Sequence, residues 1–246
     1  MDAERLEPLP YTQSYHPTLD DYDSIVAILE QKVPTELALK IVAYSHGPWL
    51  RNRLTEWDDK GHMQFGGASL CLSSDPIPIV EGRKTTPRRI IIQARTTHLY
   101  IWKPRPNPFY QSHSWFEVSI IRPCAPNHTK YLAPVDGLNW CDPSSARDVL
   151  KKTLGWDFVE GEDGRITWHL FDTYTTKMDE WNTYTIDWEK GVWSEGMEDD
   201  GEEFLELLEP GCIVILWARS KQYRWHKIGG ATIEIEYDGR YGRRTT

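Results

Sequence analysis

The pattern of apolar and polar positions is clearest between residues 201 and 238, where it falls into three pieces. Phe204, Leu205, Leu207 and Leu208 are set among four glutamates, the spacing of a short amphipathic helix. Pro210-Gly211 then ends it, because proline cannot continue a helix and glycine accepts the positive φ of a turn. Cys212 to Ala218 is an unbroken apolar run, which predicts a strand buried on both faces. Ala231 to Tyr237 alternates strictly, with Thr232, Glu234 and Glu236 against Ile233, Ile235 and Tyr237. That predicts a half-exposed strand of an antiparallel sheet. A buried strand followed by an alternating one points to an all-β sandwich or barrel rather than to βαβ units.

The rest of the chain extends this reading. Ser69–Leu72, Arg89–Trp102, Ser114–Arg122 and Thr183–Trp188 read as strands, the third with Trp115, Glu117, Ser119 and Ile121 on one face. Gly155 to Phe171 reads as a hairpin turning at Asp163-Gly164. Ser144 to Leu154 reads as a helix capped by Ser144 or Ser145, with Ala146, Val149, Leu150 and Leu154 as its apolar stripe. Near the N-terminus, Asp20, Asp21 and Asp23 lead into the apolar segment Ser24–Glu30, a helix start. A second helix opens at Pro34, and its Leu37, Ile41 and Tyr44 recur at helical spacing and are expected to pack on the sheets. The expected fold is mainly β, an antiparallel, jelly-roll-like β-sandwich over 61–238 with two short N-terminal helices. A flexible arm (1–22) and a short helical segment (23–60) precede it, and a flexible basic tail (239–246) follows.

Two resemblances attach to particular residues. The second helix resembles the start of an F-box at Val33, Pro34, Glu36, Leu37, Ile41 and Val42. That implies docking of a ubiquitin-ligase adaptor protein through Pro34, Glu36, Leu37 and Ile41. His46–Leu54 departs from the F-box pattern by lacking its second and third helices, and an ordinary amphipathic helix is the alternative. The run Phe204–Arg219, Trp225 and Ala231–Tyr237 resembles a group of fungal proteins with an F-box-like N-terminal helix and a β-sandwich, although Cys212 stands where an acidic residue is usual. The same arrangement is loosely similar to the phloem protein 2 type lectins, which implies recognition of a glycan.

Composition narrows the function classes. Lys and Arg number 28 against 37 Asp and Glu, for a net charge of −9, so nucleic acid is disfavoured as a partner. The N-terminus has no apolar signal region and no run approaches a membrane span, so no membrane association is expected. The cysteines are scattered without a CxxC pair, which fits a reducing, cytoplasmic setting with free thiols. Twelve Trp beside twelve Tyr supply either a ring-filled β core or an aromatic-lined pocket.

Candidate chemistry is sparse. The eight His include no HxH, HxD/E or HExxH, and there is no phosphate loop, dinucleotide fingerprint or nucleophile elbow; no metal and no cofactor is expected. One internal echo, Ile90–Arg95 and Ile213–Arg219, ends two buried runs with Ala-Arg. If those strands are neighbours, Arg95, His98, Trp102, Trp115, Arg219 and Trp225 converge on one rim, where an arginine fork beside an indole suits a polar ring or a carboxylate. The chain therefore reads as an intracellular ligand- or protein-recognition module, lectin-like or substrate-adaptor-like. A cofactor-free cyclase or isomerase of fungal small-molecule biosynthesis, working in an aromatic-lined sandwich cavity, is the alternative.

Overall fold

The computed structural model describes residues 9, 17–43, 47–54, 67–79, 85–99, 114–125, 139–140, 142–173, 181–191, 200–220 and 225–238. The chain is mainly β. In order, its strands are β1 (Trp49–Leu54), β2 (Gly67–Ser73), β3 (Thr86–Leu99), β4 (Ser114–Pro123), β5 (Asn139–Trp140), β6 (Trp156–Phe158), β7 (Trp168–Asp172), β8 (Asn182–Glu189), β9 (Ile213–Ser220) and β10 (Trp225–Asp238). They form two antiparallel sheets. One has the order β1-β10-β3-β8; the other runs β5-β2-β9-β4-β6, with β7 also pairing β4.

One apolar core lies between the sheets. Ile90, Ile92, Ala94, Ile186, Trp188, Ala231, Ile233 and Ile235 come from the first sheet, and Phe116, Val118, Ile120, Trp168, Val214, Leu216 and Ala218 from the second. Helix α4 (Asp200–Leu207) adds Phe204 and Leu205, and Leu208 follows it. A second cluster covers the opposite face of the second sheet: Ile121, Ile213, Ile215 and Trp217 pack against Ala146, Leu150, Trp156 and Phe158. Both faces of β9 are therefore buried, as its unbroken apolar run predicts.

Helix α1 (Leu19–Glu30) starts on a capping box, in which the Thr18 hydroxyl accepts from the Asp21 N–H and the Asp21 carboxylate accepts from the Thr18 N–H. It begins inside the segment read from sequence as an arm. Helix α2 (Thr35–Ala43) follows directly, with the Leu37 and Ala38 N–H groups donating to the Pro34 carbonyl. Tyr22, Val26 and Val42, with Leu29 and Leu39, form a small cluster of their own.

Five expectations need correction. Leu37 and Ile41 do not pack on the sheets: they are 48% and 49% exposed, and Ala38 and Val42 form the buried side of α2 instead. Tyr44 lies outside the described residues. The alternation in β10 does not mark a half-exposed strand, since Thr232 and Glu234 are fully buried and Glu236 nearly so. β10 sits between β1 and β3, and its two buried glutamates meet partners within the protein: Arg51 Nε lies 2.9 Å from Glu234, and Glu236 accepts from the Gly47 N–H. The segment 155–171 makes the expected turn, with Gly164 at φ 79°, but its strands do not pair with each other. Both lie along β4, β6 beside Ile121–Pro123 and β7 beside Trp115–Val118. Finally, the helical stretch 143–154 is capped by Asp142 rather than by a serine, and it changes pitch from a 3₁₀ turn through α3 (Arg147–Val149) to a π turn (Leu150–Leu154). The region assigned to a helical segment also ends in a strand, β1.

Candidate functional site

Strands β9, β4 and β7 lie side by side, and their outward positions make two short rows on the second sheet. Arg219 pairs with Trp115 and Trp115 with Asp172. Next to them, Trp217 pairs with Glu117 and Glu117 with His169. A bulge in β7 sets up the second row. His169 and Asp172 are three residues apart, which would put them on opposite faces of a regular strand. The register shift between Phe116 and Glu117 adds one residue to β7 and brings both to the outer face, with His169 Nε2 3.6 Å from Asp172 Oδ1.

The polar contacts on this face are specific. Trp115 Nε1 donates to Glu117 Oε1 at 2.6 Å. The Arg219 guanidinium lies over the Trp115 ring, 5.2 Å from its centroid, and its Nε is 3.7 Å from Glu117 Oε2. Nε and Nη1 of Arg219 are buried and meet no hydrogen-bond partner among the described residues. Trp217 is fully buried, and its indole N–H donates to the Ser119 hydroxyl. Asp142 sits close by, held below the usual carboxylate range by the Ser144 hydroxyl, against its part burial, and further by the Ser145 N–H and by the charge of Arg219. Arg219 thus has two carboxylates near it, Glu117 and Asp142, while Asp172 lies beyond Trp115 beside His169.

The sequence-derived rim is only partly assembled. Trp115 and Arg219 meet on adjacent strands, as required. Arg95 does not join them. It lies on β3, whose neighbours are β10 and β8, so the two Ala-Arg strands belong to different sheets. Ala94 and Ala218 both point into the shared core, which sends the following arginines to opposite outer faces at the same end of the two layers. There Arg95 Nε donates to the Thr183 hydroxyl. His98 and Trp225 are strand residues paired with His226 and Leu99, but their side chains, like all of Trp102, lie outside the described residues. His169 and Asp172 were not singled out in the sequence, because the bulge breaks the two-residue period that would have grouped them.

The second candidate surface is the helix pair. Six large apolar side chains are exposed among the described residues, and four of them are Ile25 and Ile28 of α1 and Leu37 and Ile41 of α2. Pro34 and Glu36 are exposed beside them. Among the described residues no helix is long and apolar enough to cross a membrane, and no group of three metal-type ligands comes together. No protein-family model matches the chain, and no curated protein matches it either.

Proposed function

We propose that the protein is an intracellular recognition module of the substrate-adaptor kind, in which the helix pair α1–α2 docks on a ubiquitin-ligase adaptor protein and the two sheets carry the ligand-binding part. One observation carries this reading. Of the residues that give α2 its F-box-like opening, Pro34, Glu36, Leu37 and Ile41 are exposed, while Val42 and the neighbouring Ala38 are buried. A monomer gains nothing from aliphatic side chains held in water, and four of them on two packed helices suit a partner. A jelly-roll reading of the sheets is supported by their interleaved orders, β1-β10-β3-β8 and β2-β9-β4-β7, in which each strand of the first sheet has its chain neighbour in the second. The lectin-like reading has separate support in Trp115, a half-buried indole flanked by Glu117, Asp172 and Arg219, which offers a stacking surface beside hydrogen-bonding groups.

The test is direct binding of the purified chain to a recombinant ubiquitin-ligase adaptor protein. Leu37→Ser with Ile41→Ser should weaken binding at least tenfold and leave the melting temperature almost unchanged, because both side chains are half exposed. A wild-type chain that does not bind the adaptor, or a double variant that binds equally well, removes the adaptor reading.

A further inference from the structure

At one end of the two layers, the inward-facing positions of β9, β4, β3 and β8 end in a polar residue, while β10 keeps the buried Ile228 opposite Thr96. Along β9, Val214, Leu216 and Ala218 give way to Ser220; along β4, Ile120, Val118 and Phe116 give way to Ser114. On β2 the inward position paired with Ala218 is Ser69, and beyond β7 the Thr173 N–H and hydroxyl both donate to the Ser114 carbonyl. The first sheet does the same: Ala94 is followed by Thr96, and Tyr184 is preceded by Asn182, its cross-strand partner being Thr96. These positions share one end because the chain passes from one sheet to the other there, most tightly between Ser220 and Trp225. None of the six side chains carries a charge, and five of them are buried.

Beneath this polar layer lies an aromatic one. Phe116 and Phe171 have ring centroids 5.2 Å apart, and Phe171 stacks on Tyr184 at 5.1 Å with the rings nearly parallel. Each ring is two residues from a member of the polar layer, so a row of rings spans both sheets just below it. Ser114 and Ser220, a directly opposed pair on β4 and β9, are 1% and 3% exposed, yet neither hydroxyl meets a hydrogen-bond partner among the described residues. Buried hydroxyls normally pair, and serines on adjacent strands readily bond to one another.

We propose that this end of the inter-sheet space is a binding site for a small uncharged ring bearing hydroxyl or carbonyl groups, its oxygen atoms hydrogen-bonded by Ser114 and Ser220 and its ring against Phe171 and Tyr184. The ligand is neutral because none of the described side chains of the layer carries a charge to pair with one, and an unpaired buried ion is strongly disfavoured. It is oxygenated because the layer offers hydroxyls and an amide that both donate and accept. The site lies between the sheets and is distinct from both the Trp115–Arg219 face and the helix pair, so it does not depend on adaptor docking.

The experiment is a heteronuclear NMR titration of the full chain with two pairs of probes, methyl glucoside against glucuronate and benzyl alcohol against benzoate. A neutral probe should shift the amides of residues 114, 173, 182 and 220, and its charged counterpart should bind at least tenfold more weakly. Which neutral probe binds decides between a sugar and a non-sugar ring. Ser114→Ala with Ser220→Ala should weaken binding about tenfold while the chain stays folded; if that variant unfolds, the wild-type shift map still decides. Shifts confined to other residues, no shift with either neutral probe, or equal binding of the charged probes overturns the proposal.

Discussion

Three cysteines show how burial decides chemistry one residue at a time. Cys71 and Cys212 lie in the inter-sheet core, and burial pushes both thiols above their ordinary value. Cys124 is exposed. Since the thiolate is the reactive form, a maleimide or iodoacetamide at pH 8 should modify Cys124 quickly and reach Cys71 and Cys212 only after unfolding, as peptide mass spectrometry can read. Equal labelling of all three would show that the core opens far more often than its packing implies. A second residue-scale effect comes from a missing atom. A Cβ on Gly201 would come within 2.8 Å of the Trp188 ring, because the start of α4 lies directly on that indole. Gly201→Ala should therefore destabilise by about 1–3 kcal/mol in urea unfolding, although alanine normally favours a helix.

Among the elements, α2 and α4 are held in opposite ways. On α2, Ile41→Ala should change stability by no more than about 0.5 kcal/mol, while Val42→Ala, which empties part of the α1–α2 contact, should lower it by roughly 1–3 kcal/mol. The reverse order in chemical denaturation would show that α2 does pack on the sheets through Ile41. Helix α4 is latched by one carboxylate. Glu203 accepts from Trp168 Nε1 at 3.0 Å and from the Glu162 N–H at 2.8 Å, and it pairs with Arg165. The Trp168 ring is fully buried, so Glu203→Ala leaves its N–H without that acceptor and should lower stability by about 1–3 kcal/mol, with Glu203→Gln recovering part of the loss.

For the whole molecule, acid should act through the helical stretch 143–154 that covers the second sheet. Asp157 is partly buried, which works against ionisation, yet Lys151, the Phe158 N–H and Arg147 together hold its carboxyl below the usual value. Asp142, at the start of the same stretch, is lowered too, chiefly by the Ser144 hydroxyl. A carboxyl lowered in the folded state contributes stability above its unfolded pKa of about 4, and that contribution is lost as pH falls through the folded value. Stability should therefore drop as pH goes below about 4, and Asp142→Asn with Asp157→Asn should flatten that limb of the pH–stability curve. An unchanged acid limb in the double variant would place the acid sensitivity elsewhere.

Local pattern alone is enough for the β class, the strands around Ser114–Arg122 and Cys212–Ala218, the existence of α1, the position of α4, and the shared face of Trp115 and Glu117. These are consequences of local period and of turn residues such as Pro210-Gly211, and they need no knowledge of neighbours. Only the tertiary structure decided what each face meets. Alternation in β10 separates two kinds of residue, but Arg51 on β1, far away in the chain, is what allows Glu234 to be buried. Matching Ala-Arg ends on β3 and β9 could not reveal that the two strands lie in different sheets and send Arg95 and Arg219 to opposite faces. An amphipathic stripe on α2 was legible, but not which of its apolar residues would find a partner: Val42 and Leu39 join the α1 cluster while Leu37 and Ile41 stay in water. The inward serines and threonines at one end of the sheets are unremarkable along the chain, since each stands alone in its own strand, and only strand pairing makes them a layer.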